Sequence, residues 1–114
     1  MIPKIIHYCW FGGKEKPEDV LKMIASWKKH CPDYEIKEWN EENSPLHLYP
    51  FAQDAINAGK YAFASDVIRL YALYSEGGIY LDTDVLLVKS FDSLLTNQAF
   101  IGYEKDVPGR LQTA

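Results

Sequence analysis

A chain of 114 residues is one domain at most, and its 47% hydrophobic and 14% aromatic content supplies a core and excludes a disordered segment. A net charge of −4, with no basic cluster interleaved with aromatics, removes the electrostatic case for nucleic acid. No apolar run approaches membrane-spanning length, and Met1-Ile2-Pro3-Lys4 leads straight into a strand pattern without a signal peptide, so a soluble, cytoplasmic protein is expected, at most peripheral to the inner face of the membrane.

Residues 4–10 carry a β-rich run, Ile5, Ile6, Tyr8 and Trp10, and end at Phe11-Gly12-Gly13, a turn signal. Over 18–30, Val20, Leu21, Ile24 and Trp27 recur at helical spacing; acids open the segment, lysines close it and Pro32 stops it. Lys28-Lys29-His30, the densest basic stretch, reads as the solvated end of that helix. Residues 34–39 predict a second strand, and the polar stretch 40–45 leads into a weaker helix over 46–58 that Gly59 ends. A stronger helix is predicted over 62–76, with Ala62, Ala64, Val67, Leu70 and Leu73 making it apolar. It closes on Gly77-Gly78, a good cap because glycine accepts positive φ cheaply. The run Ile79-Tyr80-Leu81 then reads as a buried strand, followed by a strand over 85–89, a short helix over 91–96 and a strand over 99–103.

Strands separated by helical patterns argue for an α/β domain with a parallel or mixed sheet. Ligands of such sheets bind beyond the carboxyl ends of the strands. Trp10-Phe11-Gly12-Gly13, Trp39-Asn40 and Asp82-Thr83-Asp84 are therefore expected on one rim.

Asp82-Thr83-Asp84 interrupts an apolar run where a sheet favours Val or Ile, and partly buried acids are costly without a partner. Hard Mg²⁺ or Mn²⁺, or a ligand rich in hydroxyls and phosphates, answers that need. Alone, such a motif is weak evidence. On the preceding helix Asp66 and Arg69 lie three residues apart and share a face. They read either as a surface ion pair of little weight or as partners for pyrophosphate and sugar oxygens.

The run from Ala64-Ser65-Asp66-Val67-Ile68-Arg69 through Gly77-Gly78-Ile79-Tyr80-Leu81 to Asp82-Thr83-Asp84 resembles the signature of the DXD sugar transferases of glycosyltransferase family 32. That family includes outer-chain mannosyltransferases, capsular polysaccharide enzymes and large glucosylating toxins. Ile2-Pro3-Lys4-Ile5-Ile6-His7-Tyr8-Cys9-Trp10-Phe11-Gly12-Gly13 is similar to the family's first strand, so the resemblance spans about the first hundred residues. It implies a GT-A fold, Rossmann-like, with three layers around a mostly parallel sheet. It also implies a UDP- or GDP-sugar donor, a glycan or other acceptor, a Mn²⁺ or Mg²⁺ ion, and retention of anomeric configuration. Carried over by residue, Asp84 would ligate the metal and Asp82 would reach ribose or sugar hydroxyls, with a water-mediated metal contact. Asp66 and Arg69 would hold the donor sugar, Arg69 would also meet charge near the leaving oxygen, and Trp10 would stack on the base. Tyr80 matches the tyrosine before the acids and joins the substrate-binding set, although core packing explains it equally well. Enzymes of this kind need roughly twice this length, so residues 1–114 are expected to be the donor-binding part of the domain, with an exposed strand edge open to self-association.

The chemistry agrees with those roles. Cleaving a glycosyl phosphate releases a diphosphate whose charge a metal held by one or two carboxylates stabilises. No covalent nucleophile stands out, and no carboxylate pair suits a retaining glycosidase. A non-catalytic nucleotide-sugar-binding fragment is the main alternative. A haloacid-dehalogenase-like phosphohydrolase also ends a strand in D-x-D, but only thirty-two residues follow Asp82, too few for its remaining catalytic strands. His7 reads as a packed core histidine, and His30 and His47 share no ligand spacing. Cys9 and Cys31 read as reduced thiols, Trp39 as core or pocket lining, and Tyr71 with Tyr74 as helix packing.

Overall fold

The alternation of β-rich and amphipathic segments builds a layered α/β unit in the computed structural model, which describes residues 2–91 together with the backbone of 101–103 and 111–113. β1 (Ile5–Cys9) is the middle strand of a parallel sheet in the order β2-β1-β3, with β2 (Glu35–Trp39) and β3 (Ile79–Tyr80) on either side. Ile6 pairs in register with Ile36 and with Ile79. Between the strands run α1 (Glu18–His30), a 3₁₀ turn (Leu46–Leu48), α2 (Pro50–Asn57) and α3 (Tyr61–Glu76). β4 (Ile101–Tyr103) and β5 (Leu111–Thr113) form a separate antiparallel pair.

Side-chain alternation along β1 divides the core into two layers. Ile6 and Tyr8 meet Ile24 and Trp27 of α1, with Ile79, Leu81 and Leu87 in the same cluster. Cys9 and Phe11 lie on the other face with Trp39, Tyr80 and the alanines of α2 and α3. Cys31 belongs to the first layer and Cys9 to the second, so the sheet separates the two free thiols.

The turn from α3 into β3 depends on its two glycines. Gly77 has φ 68° and ψ −159°, a region that side chains other than glycine's essentially exclude, and its N–H closes the helix on the Leu73 carbonyl at 3.0 Å. A Cβ on Gly78 would lie 2.7 Å from the Ile5 carbonyl oxygen. His7, fully buried, seals the same junction. Its Nδ1 accepts from the Trp39 indole N–H at 3.1 Å, which leaves Nε2 to donate to the Gly77 carbonyl at 2.7 Å. The core-histidine expectation is met, with both ring nitrogens engaged.

Four sequence expectations change. The helix over 46–58 breaks at Tyr49, whose φ −132° and ψ 75° follow from the proline after it; Pro50 then starts α2 from its first position. Residues 85–89 form no strand. Their alternation is real, with Leu87 buried and Leu86 and Val88 exposed, but the backbone is met by side chains of α1 instead of a strand. Tyr71 packs edge-on against Trp39 and Tyr49, whereas Tyr74 is 92% exposed. Leu70 is exposed as well, so α3 buries a narrow stripe of Ala64, Ile68 and Ala72 instead of most of its surface. The helix expected over 91–96 lies outside the described residues beyond Phe91, which is not helical, as do residues 99 and 100 of the last predicted strand.

Candidate functional site

The carboxyl ends of the three parallel strands meet at one edge. The Trp10 N–H bonds the Trp39 carbonyl at 2.8 Å, and the Leu81 N–H bonds the His7 carbonyl at 2.9 Å. The expected rim therefore forms, with Asp82 leaving it directly after Leu81. Asp82 is half-buried and Asp84 exposed. Asp82, Thr83, Asp84 and Val85 make a turn closed by the Val85 N–H on the Asp82 carbonyl at 3.1 Å.

On the α3 face of this edge the structure gathers most of the expected residues. The Arg69 guanidinium lies 5.7 Å from the centre of the Tyr80 ring and 3.6 Å from an Asp66 carboxylate oxygen. Arg69 is largely covered, whereas the Asp66 side chain is 67% exposed. The pair is thus loose on one side and anchored on the other, and its energetic weight to the fold is small. Tyr80 is buried, and burial drives its phenol well above the ordinary value, with Cys9 and Asp82 adding to the effect.

Sequence reasoning missed three neighbours, Cys9, Ser65 and Tyr61. The Cys9 sulfur is in hydrogen-bonding reach of the Tyr80 and Ser65 hydroxyls, and burial pushes its thiol up to about 11. The period-two alternation of β1 already put Cys9 on the side of Tyr80, and Ser65 is one helical turn before Arg69. Tyr61 also reaches the rim: its ring fills the space beside Gly12, where a Cβ would come within 2.9 Å. Gly12 takes φ 98° and donates its N–H to Glu41 Oε2 at 2.6 Å.

Trp10 stands apart from that group. It packs at the end of the α1-side layer, its indole N–H donates to the Lys14 carbonyl at 2.8 Å, and the Lys16 ammonium sits 5.9 Å from its ring centre. Lys16 is held in turn by Glu38 at 2.6 Å. Burial opposes ionisation of Glu38, but hydrogen bonds from Lys16, Asn40 and Tyr8 outweigh it and hold the carboxyl below its usual range. The site is therefore two-sided: an acidic and cationic group over the α3 face, and a braced indole across the end of β1.

The donor set suits a hard cation. Asp82 and Asp84 offer carboxylate oxygens, and no group of three or more His, Cys, Asp or Glu able to hold a metal occurs among the described residues. An ion that keeps waters and takes substrate phosphates as further ligands fits two carboxylates.

The parallel sheet with its flanking helices and an acidic turn beyond the strand ends matches the GT-A glycosyltransferase fold. A PaToxG glycosyltransferase structure shares it, with a TM-score of 0.61, 26% identity, and coverage of 79% of this chain and 45% of that one. Residues 17–101 match the family model described as the glycosyltransferase sugar-binding region containing the DXD motif, and the chain belongs to that family. Inositol phosphoceramide mannosyltransferase 3 of Schizosaccharomyces pombe is 33% identical over 108 residues, covering 88% of this chain and 29% of that protein. Toxin Afp18 of Yersinia ruckeri is 35% identical over 91 residues, 79% of this chain and 4% of that protein. The chain thus spans less than a third of these curated relatives. Family membership removes the phosphohydrolase alternative. No helix among the described residues is long and apolar enough to cross a membrane.

Proposed function

We propose that residues 1–114 form the donor-binding part of a metal-dependent hexosyltransferase that takes sugar from a UDP- or GDP-linked donor, with retention of configuration, for a glycan or other acceptor. One observation carries this reading: Asp82 and Asp84 share a closed turn at the rim where a largely covered Arg69 lies against the Tyr80 ring. Asp84, the exposed acid, would hold Mn²⁺ or Mg²⁺, and Asp82 would accept from ribose or sugar hydroxyls. When bound, the ion supplies Lewis-acid stabilisation of the leaving diphosphate. Arg69 adds a fixed cation for donor oxygens, and its covered position keeps that charge effective by limiting solvent screening. Asp66, facing solvent, is free to turn toward sugar hydroxyls. Tyr80 fixes the guanidinium from the sheet side, and Trp10 offers an aromatic face to the base.

Relatives named as mannosyltransferases support a hexose donor. The two buried thiols suit a reducing, cytoplasmic setting, and a role in capsule or other polysaccharide assembly fits a glycan acceptor. Tryptophan fluorescence during titration with UDP, GDP and their sugars, with and without Mn²⁺, tests the reading. Metal-dependent binding that Asp84→Ala abolishes is expected; metal-independent binding by a folded sample overturns it. Release of free sugar from one donor separates a transferase from a binding module.

A further inference from the structure

We infer that Ser26 and Trp27 of α1 are positioning residues for the acidic turn, holding Asp82 and Asp84 in their metal-binding arrangement from the opposite face of the sheet. The inference rests on the proposed metal role of that turn.

Val85 is bonded from both sides. Its N–H closes the turn on Asp82, and its carbonyl accepts the Trp27 indole N–H at 2.8 Å. Two residues on, the Leu87 N–H donates to Ser26 Oγ at 3.0 Å. Ser26 is chemically suited to that task. Its own proton is committed to the Met23 carbonyl at 2.6 Å, so it presents only lone pairs to the incoming N–H. A third, weaker tie links the Cys31 thiol to Ser90 Oγ at 3.9 Å. Segment 85–90 is thus stitched along α1 by side chains, where a sheet would use a neighbouring strand.

Trp27 is fully buried, so packing on all sides holds the anchor. Packing alone asks only for a large apolar ring at this position. The aimed N–H, together with a serine beside it whose hydroxyl is spoken for, meets the backbone groups that follow Asp84. Those groups would otherwise lie unpaired against the core, at a cost that would loosen the turn. Fixed outer partners of this kind preorganise metal-binding carboxylates.

The experiment uses the whole chain with Mn²⁺ as probe, in the presence of UDP and of GDP, and compares wild type, Ser26→Ala, Trp27→Phe, Ser26→Thr and the core control Ile24→Val. In metal-free protein, amide exchange at Leu87 should accelerate in Ser26→Ala and stay protected in Ser26→Thr. Mn²⁺ affinity should fall about tenfold when Ser26→Ala and Trp27→Phe are combined, the scale of lost outer-shell partners. Ser26→Thr should retain wild-type affinity, as should Ile24→Val, which trims the same helix without touching the stitch. Unchanged Mn²⁺ affinity in the double variant, unchanged Leu87 exchange in Ser26→Ala, or an equal loss in Ile24→Val each overturns the inference. Failure of folded wild type to bind Mn²⁺ with either nucleotide overturns the functional reading itself, whatever Leu87 exchange shows.

Discussion

The two faces of the sheet are packed by different means. One helix covers the first face through large side chains, with Trp27 and Ile24 against Ile6, Tyr8, Ile79 and Leu87. Two helices cover the second through Ala52, Ala55, Ala64 and Ala72, and only Ile68 among the buried residues of α3 is large. Small residues let α3 approach closely, and that approach brings Arg69 over Tyr80 and Ser65 beside Cys9. The broad side chains of α1 instead reach past the sheet to the segment after the acids. The face with the thinner seam carries the polar site, and the face with the bulky seam braces it.

That contrast can be broken most severely at Trp27. Trp27→Ala should cost about 3–5 kcal/mol through the cavity it leaves, with the Val85 carbonyl also losing its donor. Urea denaturation followed by circular dichroism would show a large drop in midpoint or an unfolded chain; a drop of under about 1 kcal/mol would contradict the packing described.

On the thin seam the sensitive direction is the reverse. Ala72→Leu should cost about 1–3 kcal/mol by forcing α3 off the sheet, and the same substitution should weaken nucleotide-sugar binding as Arg69 moves with the helix. Tolerance of leucine there, with binding intact, would show that close approach of α3 is not what sets the site.

A gentler probe is pH, read at the junction between the faces. Burial holds the His7 imidazole below its ordinary 6.5, with the Gly77 bond and Glu76 opposing that shift, Lys37 adding to it and Glu35 opposing it weakly. The unfolded chain therefore takes up a proton that the folded chain refuses. His7 stability is fully present above about pH 6.5 and declines as pH falls from there toward the lower folded value. Melting temperatures between pH 7.5 and 5 should drop more in wild type than in His7→Gln, whose baseline stability is lower but less pH-dependent. Parallel slopes would exclude His7 as the titrating group.

The smallest effect on stability is expected at Asp66. Asp66→Asn should change it by less than about 1 kcal/mol, as its exposed pair with Arg69 contributes little. Donor binding, followed by the fluorescence titration, should weaken clearly. Unchanged donor binding together with unchanged stability would return the pair to the reading of a surface ion pair of little weight.

Local pattern made much of the fold legible. β-rich and apolar runs marked β1, β2 and β3, helical spacing marked α1 and α3, and Gly77-Gly78 and Pro32 marked where helices stop, because these signals reside in adjacent residues. The order Asp66, Arg69, Gly77-Gly78, Tyr80, Asp82, Asp84 also carried the family assignment that the comparisons confirm. Tertiary structure decided what depends on partners distant in sequence. Residues 85–89 have a strand's alternation but pair with side chains of α1, fifty-eight residues away in the case of Trp27 and Val85. Leu70 and Tyr74 look like core and face solvent, because α3 docks by an alanine stripe too narrow to cover them. Trp10 and Arg69 reach one rim from opposite faces, since Trp10 packs with the α1 layer while α3, which carries Arg69, covers the other face of the sheet. Motif order in the sequence determined which residues were candidates for the site; the depth to which each helix packs on the sheet decided which neighbours join them and how they are held.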